Sequence, residues 1–259
     1  MKKLLVLIAI ILLSSNVIAQ DKLYLSFEFM EVDAEQEGDY WETESFWEKI
    51  HQERIKNGDI IGWDLWILKP GGEDQGYQYM TVNLYNDPVK MFDGGNFEAA
   101  LKAAYPDMSK EDLTKKFNET SKSRDLAVRY YLEQIDVTTP DFDMPLGTVA
   151  SIDMMKVDLG NYSKYEKAES EIFKPMHQKM VDAGQKGNWG LLRLMSPIGS
   201  DAYASHITVN MYKDYKQFFM QGSDDDPEPT EAQQKAIQDG IATRDMKWVY
   251  MATLVKKAR

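Results

Sequence analysis

Residues 79–88 read YMTVNLYNDP, and residues 206–215 read HITVNMYKDY. Both carry Thr-Val-Asn, an apolar residue, Tyr, one variable residue and Asp, and both alternate in the period-two manner of a strand. A strand that recurs once, 127 residues on, raises the question whether the whole chain recurs.

Working outward, four further landmarks repeat in the same order. FMEVD at 29–33 matches MMKVD at 154–158, and FWEKIHQERIKNG at 46–58 matches IFKPMHQKMVDAG at 172–184. GWDL at 62–65 answers NWGL at 188–191, and SRDLAVRYYL at 123–132 answers TRDMKWVYMA at 243–252. The offsets are 125, 126, 126 and 120, so only the segment before the last landmark has changed length. The expectation is a tandem duplication, with repeats over 20–137 and 148–259.

Each copy reads as strand, helix, strand, strand, helical segment, strand. In the first copy, residues 23–32 are apolar and β-rich, and 39–57 carry Phe46, Trp47, Ile50 and Ile55 at helical spacing with Gly58 as the stop. Residues 60–68 and 77–85 flank a KPGGEDQG turn, a hairpin signal. A helix over 109–120 opens with Ser-x-x-Asp, Asp87 and Asp214 are expected to cap the helical segments that follow them, and 125–137 closes the unit as a strand. The joint at 138–147, TTPDFDMPLG, has two prolines and no periodicity. The fold class is α+β, two ferredoxin-like βαββαβ repeats. Such a sheet carries both helices on one face, and two repeats in one chain can cover each other's bare faces.

That arrangement resembles the dimeric α+β barrel superfamily, here as an intrachain pseudo-dimer. The stretches HQERIKNGDIIGW and HQKMVDAGQKGNW are similar to the NIPSNAP and ethyl-tert-butyl-ether-degradation branches. The resemblance implies one of several activities: a cofactor-independent monooxygenase or isomerase, a haem-degrading or haem-dependent enzyme, or a non-catalytic ligand binder. It brings no diagnostic catalytic motif.

Alternation sorts residues into faces. Tyr79, Thr81, Asn83 and Tyr85 share one side of their strand, as do His206, Thr208, Asn210 and Tyr212, while Met80, Val82 and Leu84 share the other. Placing the apolar row against the helices turns the polar row, with His206 in the position of Tyr79, into the space between the two sheets. Glu28 and Asp153 fall on the same inner side, where a carboxylate needs a partner or a solvated cavity. Neighbouring first and third strands would bring Asp153 toward His206. Trp63 and Trp189 are expected to line the same cavity, and Arg193 stands where the first copy has Ile67.

The expected function is binding of a small apolar or aromatic molecule in that interior cavity. If the site is catalytic, His206 and Asp153 move a proton, and Asn210 and Tyr212 orient the substrate, with Glu28, Asn83, Tyr85 and Tyr79 as further ligand contacts. Two alternatives stand beside this reading: a haem protein, with His177 as the helix histidine that could hold iron, and an interaction module whose barrel is filled by its own side chains. His51 and His177, at equivalent helix positions, read as structural flanks of the helix–sheet contact.

The bulk numbers exclude several classes. Residues 1–19 read as a secretory signal: Lys2 and Lys3 precede a short apolar run, and cleavage is expected after Ala19. The mature chain is then an exported soluble protein, periplasmic or extracellular, monomeric or a homodimer. Without Lys2 and Lys3 it holds 28 basic and 42 acidic residues, a formal charge of −14, which disfavours nucleic acid and anionic membranes. The absence of cysteine excludes disulfides, thiol nucleophiles and thiolate metal sites. Three histidines argue against structural zinc, and the acidic run at 222–234 lacks the spaced ligands of a calcium loop and leads to a helix with Thr230 near its cap.

Overall fold

The computed structural model describes residues 22–70, 76–220 and 228–259. The expected signal at 1–19, the centre of the KPGGEDQG turn and most of the acidic run lie outside these residues.

Eight antiparallel strands close into a barrel: β1 (Tyr24–Glu31), β2 (Gly62–Lys69), β3 (Tyr79–Tyr85), β4 (Asp125–Val137), β5 (Val149–Lys156), β6 (Asn188–Ser196), β7 (His206–Tyr212) and β8 (Asp245–Ala258). Around the barrel they run β1-β3-β2-β8-β5-β7-β6-β4, with β4 returning to β1. The first four strands therefore occur in the order 4-1-3-2 and the last four in the order 8-5-7-6. β2–β8 and β6–β4 are the seams between them. Closure pairs every strand on both sides and leaves no sheet edge.

Helices pack on the outside. In the first half α1 (Glu37–Lys56) precedes β2, and α2 (Pro88–Asp93), α3 (Phe97–Ala104) and α4 (Lys110–Glu119) fill the excursion between β3 and β4. Asp87 caps α2 through the Val89 N–H at 2.8 Å, and Ser109 caps α4 through the Asp112 N–H at 3.1 Å. In the second half α5 (Tyr162–Ala168) runs through a π turn (Glu169–Phe173) into α6 (Lys174–Asp182). Pro175 lies just beyond the turn, and its missing N–H would otherwise donate to the carbonyl of residue 171. Two further helices follow β7: α7 (Tyr215–Phe219), capped by Asp214, and α8 (Glu231–Ile241), capped by Thr230 in a capping box. Among the described residues no helix is long and apolar enough to cross a membrane.

The core corrects the expected assignment of faces. One buried cluster draws on all eight strands and no helix: Leu25, Trp66, Met80, Leu132, Ile152, Leu192, Val209 and Leu254 are representative. This apolar row faces the barrel interior. The row of Glu28, Thr81, Asn83 and Tyr85, with Asp153, His206, Thr208, Asn210 and Tyr212 in the second half, lies under the helices instead. There Trp63 and Tyr79 cluster with Tyr40 of α1, and Trp189 clusters with Tyr165 of α5. The physical reason is partnership. A closed barrel receives few side chains from outside its own strands, so its interior takes the mainly apolar row, whereas the helices and the loops beside them bring arginines, lysines and carboxylates to a polar row.

Candidate functional site

The first half holds a cavity of about 670 Å3 between α1, the α2–α4 excursion and the sheet. Its floor is the polar strand row. The β1–β3 register sets Glu28 opposite Thr81 and Ser26 opposite Asn83, and the β1–β4 register sets Glu28 opposite Arg129. Glu28 accepts from Arg129 at 2.7 Å and from the Thr81 hydroxyl at 3.1 Å. Burial would lower the Arg129 pKa, but Glu28 and Tyr131 together outweigh it and the guanidinium is held above its ordinary value.

The roof is one stripe of α1, with Glu44, Trp47, His51 and Arg54 at spacings of three, four and three. Glu44 is fully buried and ion-paired with Arg124 through one oxygen. Burial pushes its carboxyl above the usual range, against the pull of Arg124. His51 stacks on Trp63 at 5.1 Å and on Trp47 at 5.8 Å. Burial, then Arg54, drives its pKa well below the usual imidazole value, so it is neutral. Arg54 is buried but loosely held: its nearest acceptors are His51 Nδ1 at 3.3 Å, the Gly94 carbonyl at 3.3 Å, Asn83 Oδ1 at 3.5 Å and the Tyr85 hydroxyl at 3.5 Å. Two buried donors of this stripe have no hydrogen-bond partner, Trp47 Nε1 and Arg54 Nε, while Glu44 meets the Tyr40 hydroxyl as well as Arg124. Such atoms are costly to leave unpaired. The roof thus carries two unmatched donors beside a buried carboxyl group.

In the second half the same strand row meets a network of charged and polar side chains. Asp153 accepts from Thr208 at 3.0 Å, from Asn210 at 2.9 Å and from Ser151. Lys186 Nζ reaches Asn210 Oδ1 and His177 Nδ1, both at 2.8 Å. It therefore meets the His–Asn pair that Arg54 meets in the first half, although it arrives from beyond the helix. Burial lowers Lys186 to about 8 despite Asp153. His206 is fully buried. Its Nε2 lies 3.1 Å from Glu166 and its Nδ1 lies 3.0 Å from the Ser205 hydroxyl. Arg193 joins Glu166 at 2.9 Å and pairs with Glu133 across the β4–β6 seam.

Of the eleven residues singled out from the sequence, Glu28, Trp63, Asn83 and Tyr85 line the first-half cavity. Tyr79 packs on Tyr40 at 4.4 Å, and its hydroxyl lies 3.5 Å from Glu37. His206, Asp153, Trp189, Arg193, Asn210 and Tyr212 belong to the second half. The carboxylate on His206 is Glu166 rather than Asp153. Glu44, Arg54, Arg124 and Arg129 were missed as site residues. The α1 stripe was visible as spacing, but a polar stripe on a buried helix face reads as solvent-facing until its sheet partner is known.

Neither helix histidine presents itself as a haem ligand. Each takes a cation on Nδ1, Arg54 on His51 and Lys186 on His177, which places the neutral ring's proton on Nε2. A coordinating imidazole has the opposite arrangement, with one bare nitrogen on the metal and the other donating to an acceptor. No group of three or more metal-ligating side chains occurs among the described residues.

No family model matches the chain, and no curated protein matches it significantly. Solved structures share its architecture. A "putative monooxygenase" from Lactobacillus acidophilus aligns with TM-score 0.57 at 10% identity, over 92% of this chain and 96% of its own. A "putative monooxygenase" from Fusobacterium nucleatum gives 0.56 at 12%, over 92% and 94%. An anthrone oxidase-like protein gives 0.51 at 11%, over 93% and 94%. These structures are of the dimeric α+β barrel type. At these identities the likeness concerns the fold alone.

Proposed function

We propose that this protein binds a small polar organic molecule in the helix-side cavity of its first half. The observation that carries the reading is the pair of unpartnered buried donors on α1, Trp47 Nε1 and Arg54 Nε, beside the buried carboxyl of Glu44 at one wall of a cavity large enough for a ligand. They call for a molecule with a hydroxyl or acidic C–H beside a carbonyl, such as a phenol, hydroxyquinone or enolisable ketone. Glu44, its pKa raised, takes the proton, while Trp47 and Arg54 hold the oxygen that gains charge. That set suits isomerisation, or the opening step of a cofactor-independent oxidation. The proton-transfer role thus falls to Glu44 rather than to His206 and Asp153. Their network in the second half is its counterpart.

The identical strand order of the two halves, the paired His51–Trp63 and His177–Trp189 stacks and the cation on each histidine support two ferredoxin-like repeats over 20–137 and 148–259. Export behind the signal at 1–19 belongs to the same proposal.

The test is native mass spectrometry with a panel of phenols, hydroxyquinones and enolisable ketones, on wild type and on Trp47→Phe, which removes the indole N–H and keeps an aromatic ring. Binding that weakens about tenfold in the variant, roughly 1.4 kcal/mol, supports the site. Absence of any binder sinks it. A Soret band on haem titration, lost in His177→Ala or His51→Ala, would replace it with a haem protein.

A further inference from the structure

The barrel interior is filled at one end and hollow at the other. At the filled end Phe29, Tyr77, Tyr130 and Tyr250 form one aromatic group. Phe29 lies 4.8 Å from Tyr77 and 5.9 Å from Tyr130, and the Tyr77 and Tyr250 hydroxyls are 2.7 Å apart. At the other end, where β1 begins and β3 ends, a cavity of about 540 Å3 opens between the two sheets. Its walls are aliphatic or aromatic, among them Leu25, Trp66, Met80, Leu192 and Val209. Two wall positions hold very small residues, Ala150 and Gly190, where a larger side chain would fill the space. Apolar hollows of this size are costly to a core, and proteins ordinarily fill them.

The mouth is built as well. The segment at 138–147 crosses it, contributing Phe142 and Met144 to the lining. Lys257 anchors this strap through Asp143 at 3.0 Å and the Met144 carbonyl at 2.7 Å. Gln178 anchors its start through the Thr139 N–H at 2.9 Å. Gly187 lets Phe142 seat closely, since a Cβ there would lie 2.7 Å from the ring. Asp64 and Arg259 neutralise each other at the rim at 2.8 Å, and the remaining charge in the lining is the acidic Asp141.

We propose that this hollow is a second ligand site, separate from the helix-side cavity, that takes one uncharged, predominantly apolar molecule of lipid-like chemistry. An engineered apolar cavity of about 150 Å3 accepts benzene, so the space here suits a chain or fused rings of roughly ten to twenty carbons. The acidic rim disfavours a carboxylate head. Gln134 and Asn188, in the lining at the same end, can serve a single hydroxyl or carbonyl.

The test uses N-phenyl-1-naphthylamine, a neutral fluorescent probe, on the whole protein, with 1-decanol as competitor. The expected result is one blue-shifted probe per chain, displaced by 1-decanol, and at least tenfold weaker binding in Ala150→Phe and in Met211→Trp, both of which fill the hollow. Trp66 should transfer excitation to the bound probe, and that transfer should fall in Trp66→Phe. This comparison decides the matter if overpacking unfolds Ala150→Phe. No binding by wild type, or undiminished binding in both filled variants with no change of transfer in Trp66→Phe, overturns the proposal. None of these variants touches the helix-side cavity, so the outcome is independent of the function proposed for it.

Discussion

At the residue scale, alternation shows which side chains share a face but is silent on which face is covered by what. His206, Asn210 and Asp153 were correctly grouped and wrongly aimed, because an apolar row suits a helix layer and a closed barrel equally well. What the strand pattern could not show is who answers each polar group: Glu166 for His206, Lys186 for Asn210. Those partners come from other elements. One consequence is measurable in His177. Burial, then Lys186, lowers its pKa from the ordinary 6.5 to about 3. The unfolded chain takes up a proton as pH falls through 6.5, and the folded chain does not until about 3. Stability from the neutral ring is therefore complete above pH 6.5 and lost progressively below it, by about 2 kcal/mol at pH 5. In His177→Gln the difference in unfolding free energy between pH 7 and pH 5, read from urea midpoints, should change by about that amount relative to wild type. An unchanged difference would show that the ring does not titrate as its burial requires. The Asp64–Arg259 pair offers a second residue-scale test, since Asp64 is almost wholly buried and burial pushes its carboxyl up against Arg259's pull. Arg259→Met should cost about 3 kcal/mol by stranding the carboxylate, and adding Asp64→Asn should recover most of it in the same denaturation assay.

At the element scale, the strands were legible to within a residue or two. β4 falls where its alternation placed it, and the caps Asp87, Ser109, Asp214 and Thr230 all serve as expected. Less legible was the excursion between β3 and β4, which is three short helices rather than one. Gly94 and Gly95, both with positive φ, break it between α2 and α3. That excursion builds one side of the helix-side cavity, and the Gly94 carbonyl at the end of α2 accepts from Arg54. Asp87→Ala should therefore cost about 1 kcal/mol of stability and also weaken ligand binding, because it loosens α2. Asp214→Ala removes the equivalent cap in the second half. It should cost a similar amount in thermal melts and leave binding by calorimetry unchanged. Equal effects of the two variants on binding would place the ligand elsewhere.

At the scale of the whole molecule, the repeat in the sequence carried the order of strands, but not the asymmetry between halves. That asymmetry rests on a few exchanges: Val249 stands where the first half has Arg129, and Lys186 and Arg193 reach over the strand row that lies beneath the open cavity in the first half. The barrel itself is held by a core that neither half owns. Leu25, Phe27, Trp66, Met80 and Val82 from one half meet Ile152, Leu192, Ile207, Val209 and Leu254 from the other. Either half alone would present that row to water, and an apolar face of such extent drives association. The two seams supply backbone ladders with Arg193–Glu133 at one and Arg259–Asp64 at the other, so the information for assembly lies in the strands and not in the connecting strap. A chain cut between Pro145 and Leu146 should accordingly still form the barrel from two co-expressed segments, which co-purify one to one with the far-ultraviolet spectrum of the intact protein. Each segment expressed alone should aggregate. The strap's contribution is effective concentration, so the split form should melt at a temperature that rises with protein concentration, while the intact chain's does not. A segment that stays folded and monomeric by itself would mean that its apolar row is covered from within, and the shared core would no longer explain why the two halves remain in one chain.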